Sequence, residues 1–164
     1  MNFENKQPMS KILIYLCFIL NFFLTPIACS NEWLSYYNNE EKVLDLRITA
    51  SVDGVGKLNT IPGALEVKTF HGWKIYWKNP GGPGLPPKLI FENSENVKNI
   101  SFFWPSPKRF SFEGIDNFGY EGEIIFPFNI SLFNITQKVS FNSKIIILAC
   151  KNICIPIEKE YNFF

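Results

Sequence analysis

Lys144-Ile-Ile-Ile-Leu-Ala-Cys150-Lys-Asn-Ile-Cys154-Ile-Pro156-Ile-Glu-Lys-Glu-Tyr-Asn-Phe163 decides the fold. The apolar run before Cys150 reads as a buried strand, the longest in the chain, over Lys138 to Ala149. Pro156 and the alternating residues after it read as a last strand, over Glu158 to Phe164. Two cysteines four apart therefore lie at a bend between strands. No helix follows Cys154, so no helix dipole is on hand to stabilise a thiolate. Any activation of the pair must come from elsewhere.

Working outward, the rest of the chain has the punctuation of an all-β domain. Val43-Leu-Asp-Leu-Arg-Ile-Thr49 and Ala64-Leu-Glu-Val-Lys-Thr-Phe70 alternate with period two, as half-buried strands do, and Asp53-Gly-Val-Gly56 between them is a turn. His71-Gly72 turns the chain into Trp73-Lys-Ile-Tyr-Trp-Lys78, read with aromatics on one face and Lys on the other. Asn79-Pro-Gly-Gly-Pro-Gly-Leu-Pro-Pro87 cannot continue a helix or a central strand. Short strands follow at Lys88–Phe91, Ile100–Trp104 and Glu123–Ile130, while Pro105 to Gly119 reads as one long connection. About eight strands at this spacing, with no amphipathic helix between them, predict an antiparallel β-sandwich rather than an α/β sheet.

The N-terminus reads as an export signal. Lys6 and Lys11 precede an apolar stretch from Ile12 to Leu24, and Pro26-Ile-Ala-Cys-Ser30 offers small residues for cleavage. That stretch covers about 20 Å as a helix, against a hydrocarbon core of roughly 30 Å, which favours a cleaved signal over a membrane anchor. Residues 1–28 are thus the leader, 29–42 an irregular arm and 43–164 the folded domain. Cleavage after Ala28 would put Cys29 at the new terminus, where a lipid anchor is an alternative. Cys17 leaves with the leader, so Cys150 and Cys154 are the only pair within the domain. In an exported protein such a pair can oxidise. A net charge of +1 gives no basic field for nucleic acid.

Two readings of the pair stay open on residue chemistry alone. As a staple, a disulfide closing a loop of about five residues stabilises by only about 2 kcal/mol on the chain-entropy model. As a redox centre, a short loop suits a disulfide that breaks and reforms, and Lys151 beside Cys150 slightly favours a thiolate. The aromatic connection Trp104 to Tyr120 is long enough to shield such a pair or simply to fill the end of the sandwich.

Several blocks of the sequence resemble a known family. They are Gly72-Trp-Lys-Ile-Tyr-Trp-Lys-Asn-Pro-Gly-Gly-Pro-Gly-Leu-Pro-Pro87, Trp104-Pro-Ser-Pro107, Phe118-Gly-Tyr-Glu-Gly122 and Cys150-Lys-Asn-Ile-Cys-Ile-Pro156. In this order they are similar to the N-terminal periplasmic domain of thiol:disulfide interchange proteins of the DsbD and ScsB type, from about Val43 to Phe164. The resemblance implies an immunoglobulin-like monomer without cofactor. Cys150 and Cys154 fall on the family's redox cysteines, the more exposed one attacking and the other resolving. It further implies a cap loop shielding the pair, with Phe112 as the shielding residue and Phe110 and Tyr120 beside it. The partners implied are oxidised exported proteins as substrates, and a membrane electron carrier or thioredoxin-like protein as donor. The C-x3-C spacing matches the ScsB-like branch rather than the better-known one. Membrane and thioredoxin-like segments do not follow Phe164, so the donor is expected on another polypeptide. A non-enzymatic interaction module with a structural disulfide is the alternative expectation.

Other features are read blandly. His71, the only histidine, sits in a turn without a nearby nucleophile and carboxylate. Cys150, Cys154 and His71 lack a fourth ligand for zinc. Asn99-Ile-Ser, Asn129-Ile-Ser and Asn134-Ile-Thr are chance sequons in an Asn- and Ile-rich chain.

Overall fold

The computed structural model describes residues 32–51 and 60–163. The expected leader with Cys17, the following Cys29, and the Asp53–Gly56 turn lie outside the described residues. Those described form strands and no helix: β1 (Leu34–Asn38), β2 (Glu41–Ala50), β3 (Thr60–Thr69), β4 (Lys74–Tyr76), β5 (Lys88–Ile90), β6 (Val97–Phe102), β7 (Lys108–Phe112), β8 (Ile115–Tyr120), β9 (Glu123–Leu132), β10 (Phe141–Cys150) and β11 (Cys154–Phe163). One sheet runs β1-β2-β3-β9-β6 and the other β11-β10-β4-β8-β7. Every pairing between these strands is antiparallel, which makes the domain an immunoglobulin-like antiparallel sandwich.

The core is what the alternation in the sequence demands. Leu44, Leu46, Leu65, Phe126 and Ile130 of the first sheet meet Trp73, Ile75, Ile145, Ile147 and Ala149 of the second, all essentially without solvent contact. Aromatic packing closes one side of it. Phe126 lies 5.4 Å from Phe102, 5.6 Å from Trp104 and 5.2 Å from Tyr120, measured between ring centres. Trp104 is therefore a core residue at the point where the chain leaves the first sheet for the second. Two hydroxyls tie the sheets along their shared edge: Tyr36 donates to the Glu158 carbonyl at 3.2 Å and Tyr161 to the Leu46 carbonyl at 3.3 Å.

Four sequence expectations are corrected. The arm is not irregular, because Leu34–Asn38 pairs with β2 through a turn at Asn39, whose φ of 53° suits asparagine. The connection from Pro105 to Gly119 is largely a hairpin, β7–β8, closed by Glu113 and Gly114 at φ 50° and 77°. Two consecutive positive φ values match the right-handed strand twist, as a two-residue hairpin turn requires. The aromatics of Trp73–Lys78 do not share a face: Trp73 and Ile75 enter the core, while Lys74 and Tyr76 point to the outer side. Finally, the stretch 77–87 is an excursion from one strand line. β4 pairs with β10 at Ala149 and Cys150, and β5 rejoins β10 at Lys144–Ile146. The excursion folds back over the outer face of β4 and β8, where a Cβ on Gly84 would lie 2.2 Å from the Tyr76 ring and one on Gly82 2.7 Å from Asn117 Oδ1. Glycine is needed at both places because the backbone itself lies against the side chains.

Candidate functional site

The site is the end of the β10–β11 hairpin. Period-two alternation sends Ile145, Ile147 and Ala149 into the core, so Cys150, one residue on, falls on the outer face. A three-residue turn, Lys151-Asn152-Ile153, closes with the Lys151 amide donating to the Ile153 carbonyl at 2.9 Å. This turn makes Cys150 and Cys154 the last directly opposed pair of the ladder, with Cα atoms 4.1 Å apart and the sulfurs bonded to each other. The two halves differ sharply in access. Cys150 is 1% exposed, although it is on the outer face, and Cys154 is open to solvent next to Ile153, itself 55% exposed. Cys154 is thus the half of the disulfide open to solution, and Cys150 is the covered half.

On the outer face, β4 sets Lys74 directly across from Cys150. Tyr76, two residues on, is 2% exposed, covered by the Gly84 backbone and by Phe110, whose ring lies 5.7 Å away. Burial pushes the Tyr76 phenol above its ordinary range. Lys74 extends toward the turn, donating to the Gly72 carbonyl at 2.9 Å and pairing with Glu121 at 3.4 Å. Its ammonium also lies 5.9 Å from the Phe110 ring centre.

Lys151 has a different use from the one its sequence position suggests. Its ammonium donates to Glu41 Oε1 at 2.7 Å, a bond from the hairpin turn to the start of β2 in the other sheet. That hydrogen bond holds the Glu41 carboxyl below its usual range. The Lys151 charge is thus matched by a carboxylate.

The cap candidates are spread along the sheet. The pairs Ile75–Tyr120 and Cys150–Lys74 put the cysteine's row one residue beyond Tyr120, at Glu121. Phe110 pairs with Asn117 and packs on Tyr76, on the same face as Cys150. Phe112, paired with Ile115, is six residues along β8 from that row, about 20 Å at the usual rise. Beside this hairpin end stands the excursion, since a Cβ on Gly82 would approach Ile115 to 3.0 Å. Tyr120 points the other way, into the core, and donates to the Pro105 carbonyl at 2.8 Å. His71 is an exposed turn residue at φ 52°. Sequence reasoning missed Lys74, which looked like the solvent side of an aromatic strand. Its only signal was the period-two offset from Trp73.

Comparison with known proteins agrees with this fold. The family model described as thiol:disulfide interchange protein DsbD, N-terminal, matches residues 46–164. Among solved structures the chain is similar to the N-terminal periplasmic domain of ScsB from Proteus mirabilis, at 29% identity and a TM-score of 0.63, over 80% of this chain and 49% of that one. It thus spans about half the length of that domain. A more distant likeness, at 12% identity and a TM-score of 0.44 over 72% and 82% of the two chains, is to the DsbD N-terminal domain of Neisseria meningitidis in the reduced form. No curated protein matches the sequence.

Proposed function

This chain belongs to the family of DsbD N-terminal domains, and on that footing we propose that it exchanges disulfides with exported proteins in the periplasm through Cys150 and Cys154. The observation that carries the reading is the asymmetry of the pair, one cysteine open to solvent and its partner buried beneath the outer face. In the reduced domain the Cys154 thiolate attacks a substrate disulfide, a mixed disulfide forms and one substrate thiolate leaves. Cys150 then attacks Cys154, the second substrate thiolate leaves and the Cys150–Cys154 bond closes. Two electrons pass to the substrate. A dithiol of a thioredoxin-like protein or a membrane carrier restores the pair by the reverse sequence. Phe110, packed against Tyr76 on this face, is the cap residue best supported by its neighbours. Phe112 and the hairpin end act with the excursion as its frame.

Single-cysteine variants test the assignment. Cys150→Ser leaves the accessible sulfur without its resolving partner, so it should accumulate a covalent adduct with a disulfide-bonded thioredoxin-like protein. Cys154→Ser should form at least tenfold less of it. Adducts through Cys150 instead, or none from either variant, would contradict the proposal.

A further inference from the structure

A buried thiolate is costly, because burial disfavours the charged form of a cysteine. Cys150 is 1% exposed, and the domain has no helix N-terminus among its described residues to offset that cost. Lys151, its sequence neighbour, is held by Glu41. Lys74 remains. In an antiparallel ladder, directly opposed residues share a face with Cβ atoms about 4.5–5.5 Å apart, and Lys74 is directly opposed to Cys150. Its side chain is 28% exposed, enough shelter for its field to be less screened than that of a free surface lysine.

We propose that Lys74 is a positioning residue for the exchange reaction, its ammonium stabilising the Cys150 thiolate across the β10–β4 ladder. The proposal rests on the exchange reading and gives it the missing source of activation. When a partner thiolate attacks Cys154 Sγ, the partner–Cys154 bond forms and the Cys150–Cys154 bond breaks. The electron pair departs on Cys150. The partner's second thiolate then displaces Cys154, closing the partner's own disulfide, and two protons from solvent complete the reduction. A cation at the ladder position opposite the departing sulfur makes that sulfur a better leaving group. In the opposite direction the same cation raises the fraction of Cys150 ready to resolve a mixed disulfide.

Glu121 is the counterweight. Its carboxylate lies 3.4 Å from the Lys74 ammonium and is half exposed, so it draws off part of the lysine's field. The other groups around this end are Tyr76 beside Lys74, the Lys151–Glu41 pair and His71 in the adjoining turn, with Lys108 two strands away on β7.

The test is a titration of Cys150 by the ultraviolet absorbance of its thiolate, in chains carrying Cys17→Ser, Cys29→Ser and Cys154→Ser so that Cys150 is the sole thiol. Lys74→Met should lower the Cys150 acidity constant about tenfold, and Lys74→Arg should keep it within about twofold. Glu121→Gln should raise it severalfold. In the chain with both Cys150 and Cys154, at a pH above the Cys150 pKa of both chains, Lys74→Met should shift the equilibrium with a reference dithiol about tenfold toward the disulfide, which is about 30 mV. An unmoved titration in Lys74→Met overturns the proposal, as does an equal shift in Lys74→Met and Lys74→Arg, which marks a packing effect. The titration needs no exchange partner. If it moves as expected while the pair is inert toward dithiols, the coupling stands and the exchange reading falls. If the pair exchanges and the titration stays put, the reverse holds.

Discussion

Cys150 and Cys154 are chemically identical in the sequence, and their places in the sheet make them different, Cys150 on a strand flanked on both sides and Cys154 on the edge strand. One residue of offset from Ala149 turns Cys150 outward under the cover of its own sheet, and the turn leaves Cys154 at the rim. That offset was legible in the alternation before Cys150. Which cysteine was open was not, because access depends on strands from elsewhere in the chain. Lys151 shows the same limit: adjacency suggested a partner for the thiolate, and the fold gave it Glu41 instead. The pair carries a pH signature. Glu41 is held below its ordinary range by that hydrogen bond, so its contribution is present above the unfolded carboxylate pKa and is lost as pH falls through the lower folded value. The stability difference between the native chain and Lys151→Met, followed by denaturant midpoint, should be present at neutral pH and vanish in acid. A difference that persists unchanged into acid would show that the contact acts through packing rather than charge.

Among elements, strands with clean alternation and apolar content were legible, and those shaped by turns were not. β7 and β8 were hidden because Pro105, Pro107, Gly114 and Gly119 look like loop residues, whereas Glu113-Gly114 is a tight hairpin turn. Gly119 serves the sheet instead: a Cβ there would lie 2.1 Å from the Ile75 carbonyl oxygen and 2.8 Å from the Phe110 ring. Gly119→Ala should therefore push β8 off β4, lowering stability by roughly 1–3 kcal/mol as overpacking does, and it should expose Cys150 to alkylation in the reduced protein. Native-like stability in that variant would refute the close β4–β8 approach. Gly84→Val should act more locally, lifting the excursion from Tyr76 because its Cβ would meet the ring. The expected readout is faster hydrogen exchange in β4 with the β2–β3 ladder unchanged. Global loss of protection would mean that the excursion is part of the core rather than a cover.

At the scale of the whole molecule, the sandwich, the cysteine pair and the family blocks were all legible, because each is local in sequence. The environment of the pair was not, since it is assembled from β4, β8, the excursion and two turns. The burial of several phenols was likewise invisible in the sequence. Burial pushes Tyr120 up to about 12, and Tyr76 and Tyr161 also upward. Folded phenols then keep protons that the unfolded chain surrenders near its ordinary value of about 10, so stability is full below that pH and falls as pH rises toward about 12. Unfolding midpoints measured across this alkaline range should decline, and less steeply in Tyr161→Phe. A flat profile would contradict the buried-phenol account. The central claim, that Cys150 and Cys154 exchange disulfides rather than staple a hairpin, is tested most directly by equilibrating the pair against glutathione and a thioredoxin-like dithiol. The account predicts ready exchange at a potential above about −300 mV. A potential below that value without exchange, the behaviour of inert structural disulfides, would contradict it.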